Sequence, residues 1–496
     1  MRVGRLATLG AFAAFTVFTA AAACLVLGAC GKGNTGTPSA SPGDASAGVW
    51  TIGVSNTLTG GLSFAGMSIH KGWTVAEYLV NSNGGILGKP LKFVELDDET
   101  DDDTQADDGG VVTGVARQLI ADDVAAVIGP NGSNQVLTVE NLFYQNRFLE
   151  VTASATSDEL TTIQPPMTAD GGRYLFRTVP PDSYQGRALA YLANLGVAGV
   201  SALAAADSGA ALPNTCVDAG ASSAGEGADA GPPGCSTLAI VYYDNAYGTP
   251  MEAVVEDDYR GTVVARVTVK ATVAPDYTSE ISTIVASNPA CLAMIVYNDV
   301  ADALLLQMAQ TLGVGAGAFP FMVLGTDGVY DSEFIADGRT NPADMSSPSV
   351  AEGTYGTDPD SDPVASQDYA FFASQYELLY PLPAGQSEVA PYASNEFDAA
   401  MLIALAIAQA GGVSDRVKLR DAFYAVSNGD GESRGASELL SALSDIQAGR
   451  PVSYRGASGP TTMNPEGNVT AGYILWQVQN GNLVTLRHVP FCEIPQ

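Results

Sequence analysis

Positive charge is scarce in this chain. It has 22 Lys plus Arg against 54 Asp plus Glu, a formal net charge of −32. Sequence-independent nucleic-acid binding needs a basic face, which this composition cannot easily supply. Histidine is nearly missing: His70 and His488 are the only two. That leaves too little for a His-rich metal site or a Ser-His-Asp triad. Neither HExxH nor CxxC occurs, and the search for a catalytic constellation comes back empty, so no enzyme, cofactor or metal centre is expected. What the chain has is core-forming material. Apolar residues make up 46% and charged residues 15%, which excludes wholesale disorder. At 496 residues it should form more than one domain.

Residues 1–29 read as an export signal rather than as part of the fold. Arg2 and Arg5 form a positive start, an apolar run follows, and the stretch ends at Leu27-Gly28-Ala29-Cys30. The pattern resembles a bacterial lipobox, in which Cys30 would carry lipid. An uncleaved transmembrane anchor is the competing reading, since the run is nearly long enough to span. The Gly/Ser/Thr/Pro tract through residue 48 reads as a flexible tether. Export leaves Cys216, Cys235, Cys291 and Cys492 in an oxidising compartment, with three possible pairings.

From Val49 onward, short apolar runs alternate with helical periodicity. Strands are expected at Val49–Val54, Leu91–Leu96, Val124–Ile128 and Phe148–Thr152. Helices are expected between them at Lys71–Asn83, Val111–Ala121 and Gln135–Asn146. The alternation restarts at Leu238–Tyr243 and runs to Phe321–Leu324. This βαβ repetition predicts α/β architecture, two lobes of parallel sheet with helices on both faces. Ligands bind such sheets at their carboxyl ends, and facing lobes would place those ends in a cleft. Residues 204–236, rich in Ala, Gly, Asp, Ser and Pro, interrupt the order and read as an insertion stapled by Cys216 and Cys235. Closing that loop would contribute about 3 kcal/mol in the chain-entropy account.

Glu95–Asp108 contains nine carboxylates. The run lacks the central Gly and terminal Glu of an EF-hand, so a solvated loop is the favoured reading over a Ca²⁺ site. Small polar residues stand where strands should end: Ser133, and Ser154-Ala155-Thr156. They suit either helix capping or a carboxylate ligand facing a helix N-terminus.

Several markers occur in order: Leu58-Thr59-Gly60, Asn83-Gly84-Gly85-Ile86-Leu87-Gly88-Lys89-Pro90, and Val127-Ile128-Gly129-Pro130. Ser154-Ala155-Thr156-Ser157-Asp158-Glu159-Leu160-Thr161, Phe176-Arg177-Thr178, Tyr247-Gly248, Gly325-Thr326-Asp327-Gly328 and Phe397-Asp398-Ala399-Ala400 follow. Together they resemble the leucine/isoleucine/valine-binding protein family, the type I solute receptors of branched-chain amino acid ABC transporters. The resemblance implies the type I periplasmic-binding-protein fold, two Rossmann-like lobes joined by three crossovers. The first lobe would comprise 49–180 and 350–468, and the second 181–349 and 469–496.

By the same resemblance, Ser133, Ser154, Ala155 and Thr156 would hold a ligand's carboxylate and ammonium. Asp327 would pair with the ammonium, with Tyr247 and either Tyr297 or Asn298 completing the second-lobe wall. The aromatic that packs on the family's ligands aligns with Ala65, beside Phe64, and pocket positions fall near Ser394 and Asn395, so branched-chain specificity is not implied. The resemblance also puts Cys291 and Cys492 in one lobe as a disulfide. It implies a small amino-acid-like ligand, an ABC permease partner, no nucleic acid, a monomer, and a lipid-anchored place facing the periplasm. A sensor using a separate signalling partner is the alternative.

Overall fold

Strands apolar along their whole length must be covered on both faces, and the central strands of this chain's two sheets are of that kind: residues 52–54, 238–241 and Cys291–Ile295 are buried throughout. The computed structural model describes residues 48–100, 110–168, 172–206, 234–270, 276–341, 343–361, 366–382 and 389–494. The first sheet has β1 (Trp50–Asn56), β2 (Leu91–Asp97), β3 (Val127–Ile128), β4 (Glu150–Thr152) and β5 (Leu175–Arg177). They lie in the order β2-β1-β3-β4-β5 and all pair in parallel.

The second sheet starts with β6 (Thr237–Tyr243), β7 (Thr262–Val269), β8 (Cys291–Ile295), β9 (Met322–Gly325) and β10 (Tyr355–Pro359). After a small parallel pair, β11 (Glu432–Gly435) and β12 (Val452–Arg455), it is completed by β13 (Tyr473–Gln479) and β14 (Asn482–Val489). The order is β14-β13-β10-β9-β8-β6-β7, antiparallel only where β13 meets β10 and β14. Because β10 pairs with β9, the chain leaves the second sheet after residue 359, later than the expected boundary at 350.

The central helix of the first lobe, Ala393–Ala410, is apolar all round from Ala399 to Ala408, after a polar first turn and a half that carries Ser394, Asn395, Glu396 and Asp398. Every residue of the helix except Gln409 is buried, as its apolar part requires. It packs on the Ser63–Ser82 helix, and Gly72 makes the approach possible: a Cβ there would stand 2.4 Å from the Ala393 carbonyl oxygen. Phe397, fully buried, tilts against Phe372 at 4.8 Å. Truncating it to Ala would cost about 3–5 kcal/mol.

Three segments pass between the sheets: after β5, after β10 and before β13. They are tied to their surroundings. Asn395 Nδ2 donates to the Thr178 carbonyl at 2.7 Å, and Thr178 Oγ1 donates to the Asn395 carbonyl at 2.9 Å. Asp360 N donates to Gly472 O at 3.0 Å, and Gln185 Nε2 to Thr357 O at 3.1 Å.

The cysteine pairing differs from expectation. Cys235 is bonded to Cys291, with Cα atoms 5.8 Å apart, so neither Cys216–Cys235 nor Cys291–Cys492 forms. The reason is sheet order: β6 and β8 are neighbours, and Leu238 lies opposite Cys291. Fifty-six residues of sequence separation conceal that adjacency. Cys492 is itself disulfide-bonded. Cys216, most of the 204–236 insertion and the lipobox with Cys30 lie outside the described residues.

The start of the acidic run is not a solvated loop. Asp98 is buried and accepts hydrogen bonds from Ser55 Oγ at 2.7 Å and Thr57 Oγ1 at 2.8 Å. Burial pushes its carboxyl up to about 6. Glu95 accepts from Asn56 and pairs with His70 Nδ1 at 2.8 Å. Among the described residues no group of three or more potential ligands is arranged for a metal ion, and no helix is long and apolar enough to cross a membrane.

Candidate functional site

The carboxyl ends of both sheets contribute to one small cavity. From the first lobe, β3 ends in a cis Gly129-Pro130 bond and turns through Asn131-Gly132 into the Ser133–Gln145 helix. Gly129 has φ +87°, and a Cβ there would lie 2.1 Å from Ser55 O, so only glycine fits the turn. β4 ends in the turn Ala153–Ser157. Ser133 Oγ accepts from Ser157 N at 3.1 Å, and Ser154 Oγ donates to Asn131 O at 3.1 Å, which lock the two turns together.

Arg177 secures this arrangement from behind. Its Nη1 donates to the carbonyls of Thr156 at 2.8 Å and Ser157 at 2.9 Å, its Nη2 to Thr161 Oγ1, and its Nε to Asn468 Oδ1. Burial lowers its guanidinium to about 10. The side chain is used up as scaffold.

From the second lobe come Tyr247, Tyr297 and Asp327. Tyr247 and Tyr297 stack at 5.2 Å, and Tyr243 tilts against Tyr297 at 5.0 Å. Gly328 lets the rings close in, since a Cβ there would meet Val296 O at 2.5 Å and Tyr247 Oη at 3.0 Å. Asp327 follows β9 and is 4% exposed. Tyr247 donates its hydroxyl to Asp327 Oδ1 at 2.7 Å, and Tyr392 donates to Oδ2 at 2.5 Å.

The cavity bounded by these groups is about 20 Å³, room for about one water molecule. Six of the eight expected ligand residues line it: Ser133, Ser154, Thr156, Tyr247, Tyr297 and Asp327. Ala155 does not; it is packed among Val136, Leu160 and Leu175. Of the two alternatives at β8, Tyr297 is on the wall and Asn298 is not, being buried in the first turn of the following helix. Ser394 and Asn395 also stay off this wall: Ser394 Oγ donates to Ser361 O, and Asn395 bonds Thr178. The position that helix does supply is Tyr392, just ahead of its first residue and at φ +61°, which no apolar periodicity marks.

The electrostatics are one-sided. No Lys, Arg or His lines the cavity. Burial raises the Asp327 carboxyl above its usual range, against the lowering effect of the Tyr392 and Tyr247 hydroxyls. Asp182 heads the Asp182–Ala206 helix and is fully buried. Burial, with Asp327 and Asp158 nearby, holds it well above the carboxylate range. Asp182 is off the cavity wall and Arg177 acts against its rise, so the acid that the cavity itself presents, with no basic side chain on the same wall, is Asp327.

One catalytic spacing escapes the sequence reading, which expects no GxSxG elbow: Gly431-Glu432-Ser433-Arg434-Gly435 has that hydrolase pattern. Its serine lies within strand β11, paired opposite Ser453, and accepts from Arg455 rather than from a histidine. Both histidines are held elsewhere, His70 by Glu95 and His488 by Asp360.

Two α/β sheets whose carboxyl ends meet at one small cavity have the architecture of a solute receptor. The chain belongs to the periplasmic binding protein family, which it matches over residues 49–481, a family of extracytoplasmic solute-binding proteins. It is 24% identical over 406 residues to the chemotactic signal transduction system substrate-binding protein BasB of Halobacterium salinarum, covering 82% of this chain and 80% of that one. It is 31% identical over 111 residues to the Leu/Ile/Val-binding protein BraC3 of Rhizobium johnstonii, 28% of that protein's length.

Its fold is similar to the leucine binding protein LivK of Thermotoga maritima, with a TM-score of 0.64 at 19% identity, covering 88% of this chain and 98% of that one. The isoleucine complex of LivJ from Streptococcus pneumoniae gives 0.63 at 18%, covering 89% and 99%. A benzoate complex of an R. palustris solute binding protein gives 0.61 at 18%, covering 89% and 97%.

Proposed function

We propose that this protein is a lipid-anchored, periplasm-facing receptor that captures a small amine, an amino acid or a relative of one, by cleft closure and delivers it to an ABC permease. The observation that carries the reading is Asp327, buried with Asp182 behind it, in a cavity walled by hydroxyls and aromatic rings and free of basic side chains. An ammonium supplies the missing charge, since a buried acid is most stable when paired. The N-terminus of the Ser133–Gln145 helix and the Ser133 and Thr156 hydroxyls suit the ligand's carboxylate or carbonyl. Because about 20 Å³ admits no amino acid, the lobes must part to load, a hinge motion that the ligand drives by preferring the closed form.

A sensing role is the second reading, favoured by the extent of the match to BasB. The test of the site is a thermal-shift screen over amino acids, amides, amines and carboxylates, repeated on Asp327→Asn. A shift from an amine-bearing compound that disappears in the variant supports the reading. Stabilisation only by compounds without an amine overturns it. Co-purification with a permease or with a chemotaxis transducer separates the two roles.

A further inference from the structure

Beside the inner cavity lies a second one of about 650 Å³, also between the lobes, and Phe64 belongs to the walls of both. Its surface differs in kind from that of the inner site. Tyr330, Tyr376 and Tyr380 give it aromatic walls, and the exposed thioethers of Met67 and Met345 stand at its rim. It also holds two cations, Lys71 from the Ser63–Ser82 helix of the first lobe and Arg339 from the second.

Neither cation lies within 4 Å of a carboxylate of the described residues, and the one side-chain partner of Arg339 there is Met345 Sδ at 3.6 Å. In a chain of net charge −32, two half-buried basic groups without an ion pair on opposite lips of one chamber are unexpected. Asp331 and Glu333 also reach this chamber. Asp331 caps a helix through the Glu333 N–H at 2.7 Å and lies near enough to Lys71 for that charge to offset part of its burial, and Glu333 is exposed. The wall of the inner cavity thus carries an acid, Asp327, and no basic side chain, Arg177 being behind it on the Thr156 and Ser157 carbonyls, whereas the wall of the outer chamber carries two basic side chains.

We propose that the ligand is an elongated zwitterion, a short peptide or a long-chain amino acid. Its amine sits at Asp327, its apolar middle passes Phe64 into the aromatic chamber, and its carboxylate reaches Lys71 and Arg339. This deepens the amine-receptor reading and rests on it. The inner hydroxyls are neutral and serve a peptide carbonyl as well as a carboxylate. Separating the two charges places each beside its opposite, which an α-amino acid confined to the inner cavity cannot do.

The test is calorimetry on the full chain with L-leucine, L-phenylalanine, 8-aminooctanoate, the dipeptide Leu-Phe and the Leu-Phe amide. Wild type and Lys71→Ala/Arg339→Ala are compared, with Asp327→Asn as the control for the inner site. Leu-Phe should bind at least about tenfold tighter than either free amino acid, the size expected of two part-exposed charge contacts. The double variant should lose that margin and leave the amide unchanged. If L-leucine binds as tightly as Leu-Phe and the double variant changes nothing, the elongated ligand is wrong while the amine receptor stands. If no amine binds, or Asp327→Asn leaves the affinities unaltered, the amine reading itself falls and this inference falls with it.

Discussion

Tyr392 of the first lobe donates its hydroxyl to Asp327 of the second at 2.5 Å, so the buried acid is held from both sides of the cleft. The acid's other oxygen is bonded by Tyr247 of its own lobe. An incoming ammonium would therefore meet a carboxylate already positioned by two phenols.

Asp327→Asn keeps the shape and removes the charge. Removing one partner of a buried charge pair costs about 2–5 kcal/mol, so an amine ligand should weaken by about thirtyfold or more. The unliganded melting temperature should change little, because the variant also relieves a buried acid. Unchanged affinity by calorimetry would falsify the ammonium role.

Tyr392→Phe leaves one buried oxygen of Asp327 without its donor. Such a loss costs about 1–3 kcal/mol, and it falls on the closed arrangement alone. The unliganded variant should scatter X-rays as a more open particle than wild type. An identical radius of gyration would show that this contact does not hold the lobes together.

Ligand binding should release protons. Asp327 is raised by burial, and Asp182 by burial and by Asp327, so the free protein carries protons there that an ammonium displaces. Affinity for an amine should then rise with pH until both acids are ionised. Calorimetry in buffers of different ionisation enthalpy reads the release directly, and buffer-independent heats would contradict it.

Asp302 makes a stability prediction away from the site. Its two oxygens are buried without partners, and burial, with Asp337, Asp299 and Glu333 nearby, raises its carboxyl from 3.8 to about 9. The folded state thus binds a proton that the unfolded chain gives up. Stability on this account is fully present below the unfolded value and is lost as pH rises through the folded one, at up to about 1.4 kcal/mol per pH unit between them. Asp302→Asn should match wild type near pH 4 and exceed it increasingly toward pH 8 in urea unfolding. A constant difference across that range would mean that Asp302 does not titrate this way.

The Cys235–Cys291 bond closes 56 residues, worth about 4 kcal/mol in the chain-entropy account. Non-reducing peptide mapping should recover that pair. Cys235→Ser should lower the unfolding midpoint by a corresponding amount, and recovery of Cys235 linked to Cys216 would reverse the assignment.

Much of the architecture was legible because it rests on local periodicity. The strands expected at Leu91–Leu96 and Leu238–Tyr243 are found within a residue of those bounds. The first helix begins at Ser63 rather than Lys71, because Phe64, Ala65 and Ile69 face the core across a stretch whose Gly66 and Ser68 obscure the pattern. Gly66 is there because the helix lies on Thr57 O, 1.8 Å from where a Cβ would stand.

Of the site, Asp327 was marked by its turn after an apolar strand. Tyr392 was not, since its place depends on a left-handed residue entering a helix from the other lobe. The cysteine pairing was likewise invisible, because it depends on which strands are neighbours rather than on spacing along the chain. Asp98 is buried by its partners Ser55 and Thr57, more than 40 residues earlier, which an acidic run alone does not disclose.

The reciprocal bonds between Thr178 and Asn395 fasten a crossing segment to the Ala393–Ala410 helix only three residues beyond Tyr392. If the lobes close as proposed, this fastening and the Tyr392 latch lie within one helical turn of each other, a lever arm too short to give Tyr392 much travel. Tyr392 would then act as a fixed stop, with the stroke belonging to Asp327 on the opposite jaw.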